Sequence, residues 1–146
     1  MHLFKAKHFK AKYTFKGNKD FVKIELYPFT YLDERKPRLP RKSSNGYKLN
    51  SDTEEFFQKT LGNLNWSLLE NLKFRVEIVI FKGSDSLGKA DLDNYCKALL
   101  DGITKTQKVW VDDSQVDHLL IERHYVDEES SWISLKVKRV VTKSAF

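Results

Sequence analysis

Between residues 12 and 27 apolar and polar positions alternate, with Tyr13 and Phe15 on one side of Gly17-Asn18 and Val22, Ile24 and Leu26 on the other. A period of two around such a pair predicts a β-hairpin. From Pro28 to Asn50 the periodicity fails and all three prolines of the chain appear, followed by Ser43-Ser44-Asn45-Gly46, so this stretch is expected to be a long loop without regular structure. Ser51 with Glu54 resembles a capping box, and Phe57, Leu61, Leu64 and Leu68 follow at helical spacing, interrupted by Gly62. Residues 73 to 81 alternate again through Phe74, Val76, Ile78 and Ile80, predicting a strand that Gly83 ends. A glycine and serine loop, Gly83 to Gly88, leads to Asp91. After it, Leu92, Tyr95, Cys96, Leu99 and Ile103 fall on one stripe of a second helix. Residues 116–126 and 132–141 are rich in β-branched and aromatic side chains and are separated by Asp127-Glu128-Glu129-Ser130, so they are expected to close the chain as an antiparallel pair.

This order predicts an α+β fold: a mixed β-sheet with two helices packed on one face. The expectation is one domain over residues 1–146, with an N-terminal hairpin arm at 1–27 and a basic loop at 28–50. A hydrophobic content of 40% supports a core of that size. No apolar run approaches the length of a membrane span, and Met1-His2-Leu3-Phe4-Lys5 lacks the apolar stretch of a signal peptide, so a cytoplasmic protein is expected.

The net charge of +6 favours a polyanionic partner, and its distribution sharpens the point. Residues 1–50 carry 13 Lys and Arg against 4 Asp and Glu, whereas residues 51–146 carry 13 against 16. Within the basic loop, Arg35, Lys36, Arg38, Arg41 and Lys42 are candidates for phosphate contact, and Lys89 lies just before the second helix. A lysine-rich solvated surface would explain the total charge about as well but accounts less well for the asymmetry.

The second helix also carries candidate chemistry. Asp93, Lys97 and Asp101 are spaced at i+4 along its flank, and Asp91 stands at its start. Taken alone these are a cap, a charge on the helix dipole and surface ion pairs. Val109-Trp110-Val111-Asp112-Asp113 then places two acids just before the strand at Val116, where an Asx-type turn is the simplest use for them. Acids at a strand edge can also meet acids at a neighbouring helix start. Three carboxylates gathered there would repel unless a divalent cation lay between them. Oxygen ligands suit magnesium or manganese, and a single cysteine, Cys96, with four scattered histidines argues against a zinc site.

The stretch Asp91-Leu92-Asp93-Asn94-Tyr95-Cys96-Lys97, with Asp101 four residues on, and then Trp110-Val111-Asp112-Asp113-Ser114-Gln115, resembles the signature of the RusA family of Holliday junction resolvases. The close resemblance covers residues 91 to 116. It implies a magnesium-dependent endonuclease, with manganese as an alternative ion, that acts as a homodimer on branched DNA and makes paired nicks. It implies that Asp91, Asp93 and Asp113 bind metal and that Lys97 is the essential lysine. Asn94, Asp101, Asp112 and Gln115 would be supporting residues. No organic cofactor is implied, and the family points to a bacterial or phage origin. Only Lys89 precedes the motif where family members often carry several arginines, which bears on junction preference more than on nuclease chemistry. Two other functions fit the residues: a nuclease acting on flaps or forks, and a DNA-binding module without catalysis. His118 and His124, on a predicted strand, are secondary candidates for a base, and Cys96 on the apolar stripe reads as core.

Overall fold

The computed structural model describes residues 1–6, 10–29, 32–34, 47–85 and 91–140. Eight strands and two helices are present among them: β1 (His2–Lys5), β2 (Lys10–Gly17), β3 (Phe21–Tyr27), β4 (Leu32–Glu34), β5 (Tyr47–Leu49), α1 (Ser51–Leu61), β6 (Lys73–Lys82), α2 (Leu92–Thr106), β7 (Val116–Tyr125) and β8 (Trp132–Val140). The predicted α+β class holds. Six strands form one mixed sheet in the order β1-β2-β3-β8-β6-β7, antiparallel throughout except for the parallel pair β6 and β7. None of the described helices is long and apolar enough to cross a membrane.

Alternation along each strand separates two faces. Phe4, Ala11, Val22, Ile24, Leu26, Ile133, Leu135, Val137, Val76, Ile78 and Ile80 are buried together on one of them. The helices cover this face. Phe56 of α1 meets Phe4 and Tyr13 edge-on at centroid distances of 5.3 and 5.1 Å. The stripe read from the sequence of α2 is inside, with Tyr95, Cys96, Leu99 and Ile103 all buried. The opposite face is open and carries a row of stacked rings across four strands. Tyr27 lies 4.5 Å from Trp132, Trp132 3.9 Å from Phe81, and Phe81 6.1 Å from His124. Such cross-strand ring pairs help to hold register.

Four expectations change. The two closing strands are not each other's partners, because β6 lies between them, parallel to β7 and antiparallel to β8. Helix α2 returns the chain to the starting end of β6, so the next strand must run parallel to it, and β8 takes the remaining edge where it also meets β3. The stretch 28–50 is not wholly irregular: β4 and β5 pair as a separate antiparallel ribbon, too short for its alternation to show in the sequence. Leu49 of that ribbon is buried against α2, and a Cβ on Gly102 would come within 2.5 Å of its Cδ1, so the close approach requires a residue with no side chain there. The cap of α1 is Asn50 rather than Ser51, since the Asn50 side chain accepts from the Thr53 backbone N–H at 3.0 Å. Finally, α1 ends at Leu61, so Leu64 and Leu68 lie beyond it, and Leu68 is 36% exposed. The cations Arg35, Lys36, Arg38, Arg41, Lys42 and Lys89 lie outside the described residues.

The cap assignment predicts a clear difference between neighbours. Asn50→Ala should lower unfolding free energy by about 1 kcal/mol, the usual value of an N-cap side chain, whereas Ser51→Ala should cost less than half of that. Urea denaturation of the two variants measures it, and the reverse order would return the cap to Ser51.

Candidate active site

Helix α2 starts from Asp91, whose backbone is extended and whose carbonyl accepts from the N–H groups of Asn94 and Tyr95 at 3.1 and 3.3 Å. The Asp91 side chain makes no capping hydrogen bond, so its carboxylate is not consumed by the helix start. Burial of Tyr95, Cys96 and Leu99 turns the helix so that Asp93 and Lys97 stay exposed on its flank while Asp101 is half-buried. The helix ends at Gln107, which adopts a left-handed conformation with φ 53°. Three residues later Trp110 is buried, donating its indole N–H to Thr104 Oγ1 at 2.7 Å and packing edge-on against Phe74.

The acid pair that follows is divided by local structure. Asp112 caps a 3₁₀ turn, Asp113–Gln115, by accepting from the Ser114 N–H at 3.1 Å. Hydrogen bonds from the Ser114 side chain and backbone hold the Asp112 carboxyl below its ordinary range. Gln115 is buried and serves as a clamp. Its Oε1 accepts from the N–H groups of Val111 and Asp112 at 2.9 and 3.2 Å, while its Nε2 donates to the carbonyls of Leu69 and Leu72 at 2.8 and 2.9 Å. The turn is thereby tied to the segment entering β6. Asp113 makes none of these side-chain bonds and faces α2 instead.

Between α2 and β7 lies a cleft of about 430 Å³, lined by Asp93, Cys96, Lys97, Leu100, Asp113, Val116, Leu119 and Ile121. Its charges act on one another. Burial pushes the Asp113 carboxyl above its ordinary range, the charges of Asp112 and Asp101 push it further, and the Lys97 ammonium offsets part of the rise. Burial likewise pushes the Cys96 thiol up, helped by Asp113 and Asp93, so a reactive thiolate is disfavoured. The remaining walls, Leu100, Val116, Leu119 and Ile121, are apolar and lower the effective dielectric around the carboxylates.

Of the residues singled out in the sequence, Asp93, Lys97 and Asp113 share this cleft, and Asp101 is close enough to act on Asp113. Asp91 stands at the helix start and is not part of the lining. Asp112 and Gln115 are structural, and Asn94 is half-buried in the first turn of α2. Among the described residues, no three His, Cys, Asp or Glu side chains stand close enough together to hold a metal ion. The acidic residues that line the cleft, Asp93 and Asp113, offer carboxylate oxygens, the donor type that magnesium or manganese takes. His124 is engaged by Glu122 at 2.9 Å and stacks with Phe81, and His118 is exposed on the open face, so neither serves the cleft. The walls from β7 were not singled out in the sequence. Their only signal was the β-branched and aromatic content of that strand.

A comparison with curated proteins gives no match. The family model described as Endodeoxyribonuclease RusA matches residues 62–138, which is more than half of the chain and spans β6, α2, β7 and nearly all of β8. That match takes in Asp91, Asp93, Asp101, Asp112 and Asp113 together with Lys97, and the chain belongs to the RusA endodeoxyribonuclease family.

Proposed function

We propose that the protein is a magnesium-dependent endodeoxyribonuclease, with manganese as an alternative ion, that resolves four-way DNA junctions by paired phosphodiester hydrolysis as a homodimer. The observation that carries the reading is the meeting of Asp93, Lys97 and Asp113 in one cleft of a chain that belongs to an endodeoxyribonuclease family. Asp93 and Asp113 would hold the cation, with Asp91 joining from the free carboxylate at the helix start. A bound divalent cation supplies an activated water and neutralises charge on the phosphate.

The chain's own groups do the rest. Crowding of Asp113 by Asp101 and Asp112 makes a cation favourable there, and the Gln115 clamp fixes the backbone turn that carries Asp113. Lys97 directs a point charge to the same cleft and stabilises the negative charge that builds on the phosphorus oxygens. With its thiol pushed up and buried, Cys96 offers no covalent route, which leaves direct attack by water. Arg35, Lys36, Arg38, Arg41, Lys42 and Lys89 are assigned to phosphate contacts that position the DNA.

Asp93→Asn and Asp113→Asn should each reduce magnesium-dependent cleavage of a labelled four-way junction by about 10²-fold or more, and Asp91→Asn should follow them. Asp113→Asn should melt no lower than wild type, because the fold holds that carboxylate charge at a cost. Cleavage at the wild-type rate by any of the three would remove that residue from the site.

Lys97→Ala should lose about 10²-fold in kcat with junction affinity changed only a few-fold, the pattern of an interaction made in the transition state. Equal losses in binding and rate would make Lys97 a DNA-holding residue and no more.

Sedimentation at working concentration should give a dimer, and nicks mapped on the junction should fall at symmetry-related positions on opposing strands and vanish with chelator. A monomer that nicks one strand, or that prefers flaps or forks, would replace junction resolution with a broader branched-DNA activity.

A further inference from the structure

The open face of the sheet carries a cluster of cations that the cleft does not use. Strand register sets Lys16 opposite Lys23, Lys23 opposite Lys136, and Arg75 opposite Lys138. Like charges directly opposite one another destabilise a sheet, and here three such pairs adjoin. Two carboxylates reach the cluster, Glu25 to Lys23 at 3.8 Å and Glu77 to Lys136 at 3.9 Å. Lys16, Arg75 and Lys138 are exposed and have no acidic partner among the described residues. A surface that serves only solubility intersperses both signs. This one concentrates one sign at a cost in folding, which is accounted for if a polyanion normally lies against it.

Geometry suits a phosphate backbone. Neighbouring strands are about 4.8 Å apart and alternate residues on a strand about 6.6 Å apart, so the five cations form a lattice of that spacing across four strands. A duplex carrying one charge per about 3.4 Å on each strand would meet such a lattice at several phosphates. The lattice also leads to the cleft. Arg75 is in register with His118 on β7, and β7 is the edge strand whose other face supplies Leu119 and Ile121 to the cleft wall.

We propose that the open face of the sheet, through Lys16, Lys23, Arg75, Lys136 and Lys138, grips the phosphate backbone of a duplex arm of the same DNA whose reacting phosphate lies in the cleft. The inference rests on the nuclease reading for the identity of the polyanion. It places DNA on both sides of the β7 edge and separates arm-holding from the chemistry.

The test compares wild type with Lys138→Thr and with the triple variant Lys23→Thr, Lys136→Thr, Lys138→Thr, by anisotropy of labelled duplex and four-way DNA over a series of salt concentrations. Threonine is neutral and suits a strand, and removing Lys138 breaks no ion pair while relieving its repulsion with Arg75, so its melting temperature should be unchanged or higher. The slope of log affinity against log salt should fall by about 0.9 for the single variant and by about 2 to 3 for the triple. Folded variants with the wild-type slope, in a protein that still binds and cuts DNA, would overturn the role of this face and leave the cleft reading intact. Wild type that neither binds nor cuts DNA would overturn both. Equal loss of slope on duplex RNA, with RNA bound more tightly than DNA, would overturn the assignment of the face to DNA.

Discussion

Four hydrogen bonds from one buried amide hold the position on which the cleft depends. Gln115 accepts from Val111 and Asp112 and donates to Leu69 and Leu72, using both lone pairs of its oxygen and both protons of its nitrogen. Without it, two backbone N–H groups and two carbonyls near the start of β6 would need other partners in a partly buried place, where a group left fully buried and unmet costs about 1–3 kcal/mol. The turn Asp113–Gln115 therefore cannot drift relative to the sheet. Trp110 adds the apolar half of the anchor, packed on Phe74 and bonded to Thr104 of α2. One short segment is thus tied to the strand on one side and to the helix on the other.

The anchor separates two adjacent acids that look equivalent in the chain. Asp112 has its charge satisfied by the turn it caps, and its carboxyl is held low by Ser114. Asp113 is left half-buried, repelled by Asp112 and Asp101 and eased by Lys97. The frame fixes the backbone that carries Asp113, whose carboxyl is repelled by its acidic neighbours. Apolar walls from α2 and β7 flank these charges, with Asp113 half-buried and Asp93 and Lys97 exposed.

A second electrostatic contrast runs across the sheet. The helix-covered side carries the acidic cleft at its β7 edge, whereas the open side carries lysines and an arginine placed in register with one another. The row of rings Tyr27, Trp132, Phe81 and His124 crosses the same open side toward the C-terminal end of β6 and helps to compensate for the repulsion between the cations. The cations on β2, β3, β8 and β6 and the acids beside the β7 edge thus stand on opposite faces of one sheet.

Much of this was legible in the chain because it follows from short-range periodicity. The hairpin of β2 and β3, the strand β6 and the buried stripe of α2 each repeat over enough residues to declare their period, and the motif between Asp91 and Gln115 is enough to signal the family. Tertiary structure alone decided the rest. Periodicity does not encode which edge of β6 a later strand takes, so the separation of β7 from β8 depended on where α2 returned the chain. Asn50 and Ser51 are both good caps by residue type, and only the backbone path selected the first. The division of labour between Asp112 and Asp113, the clamp by Gln115 and the opposed cations of the open face depend on contacts between residues far apart in sequence. Local pattern carries no record of such contacts until packing creates them.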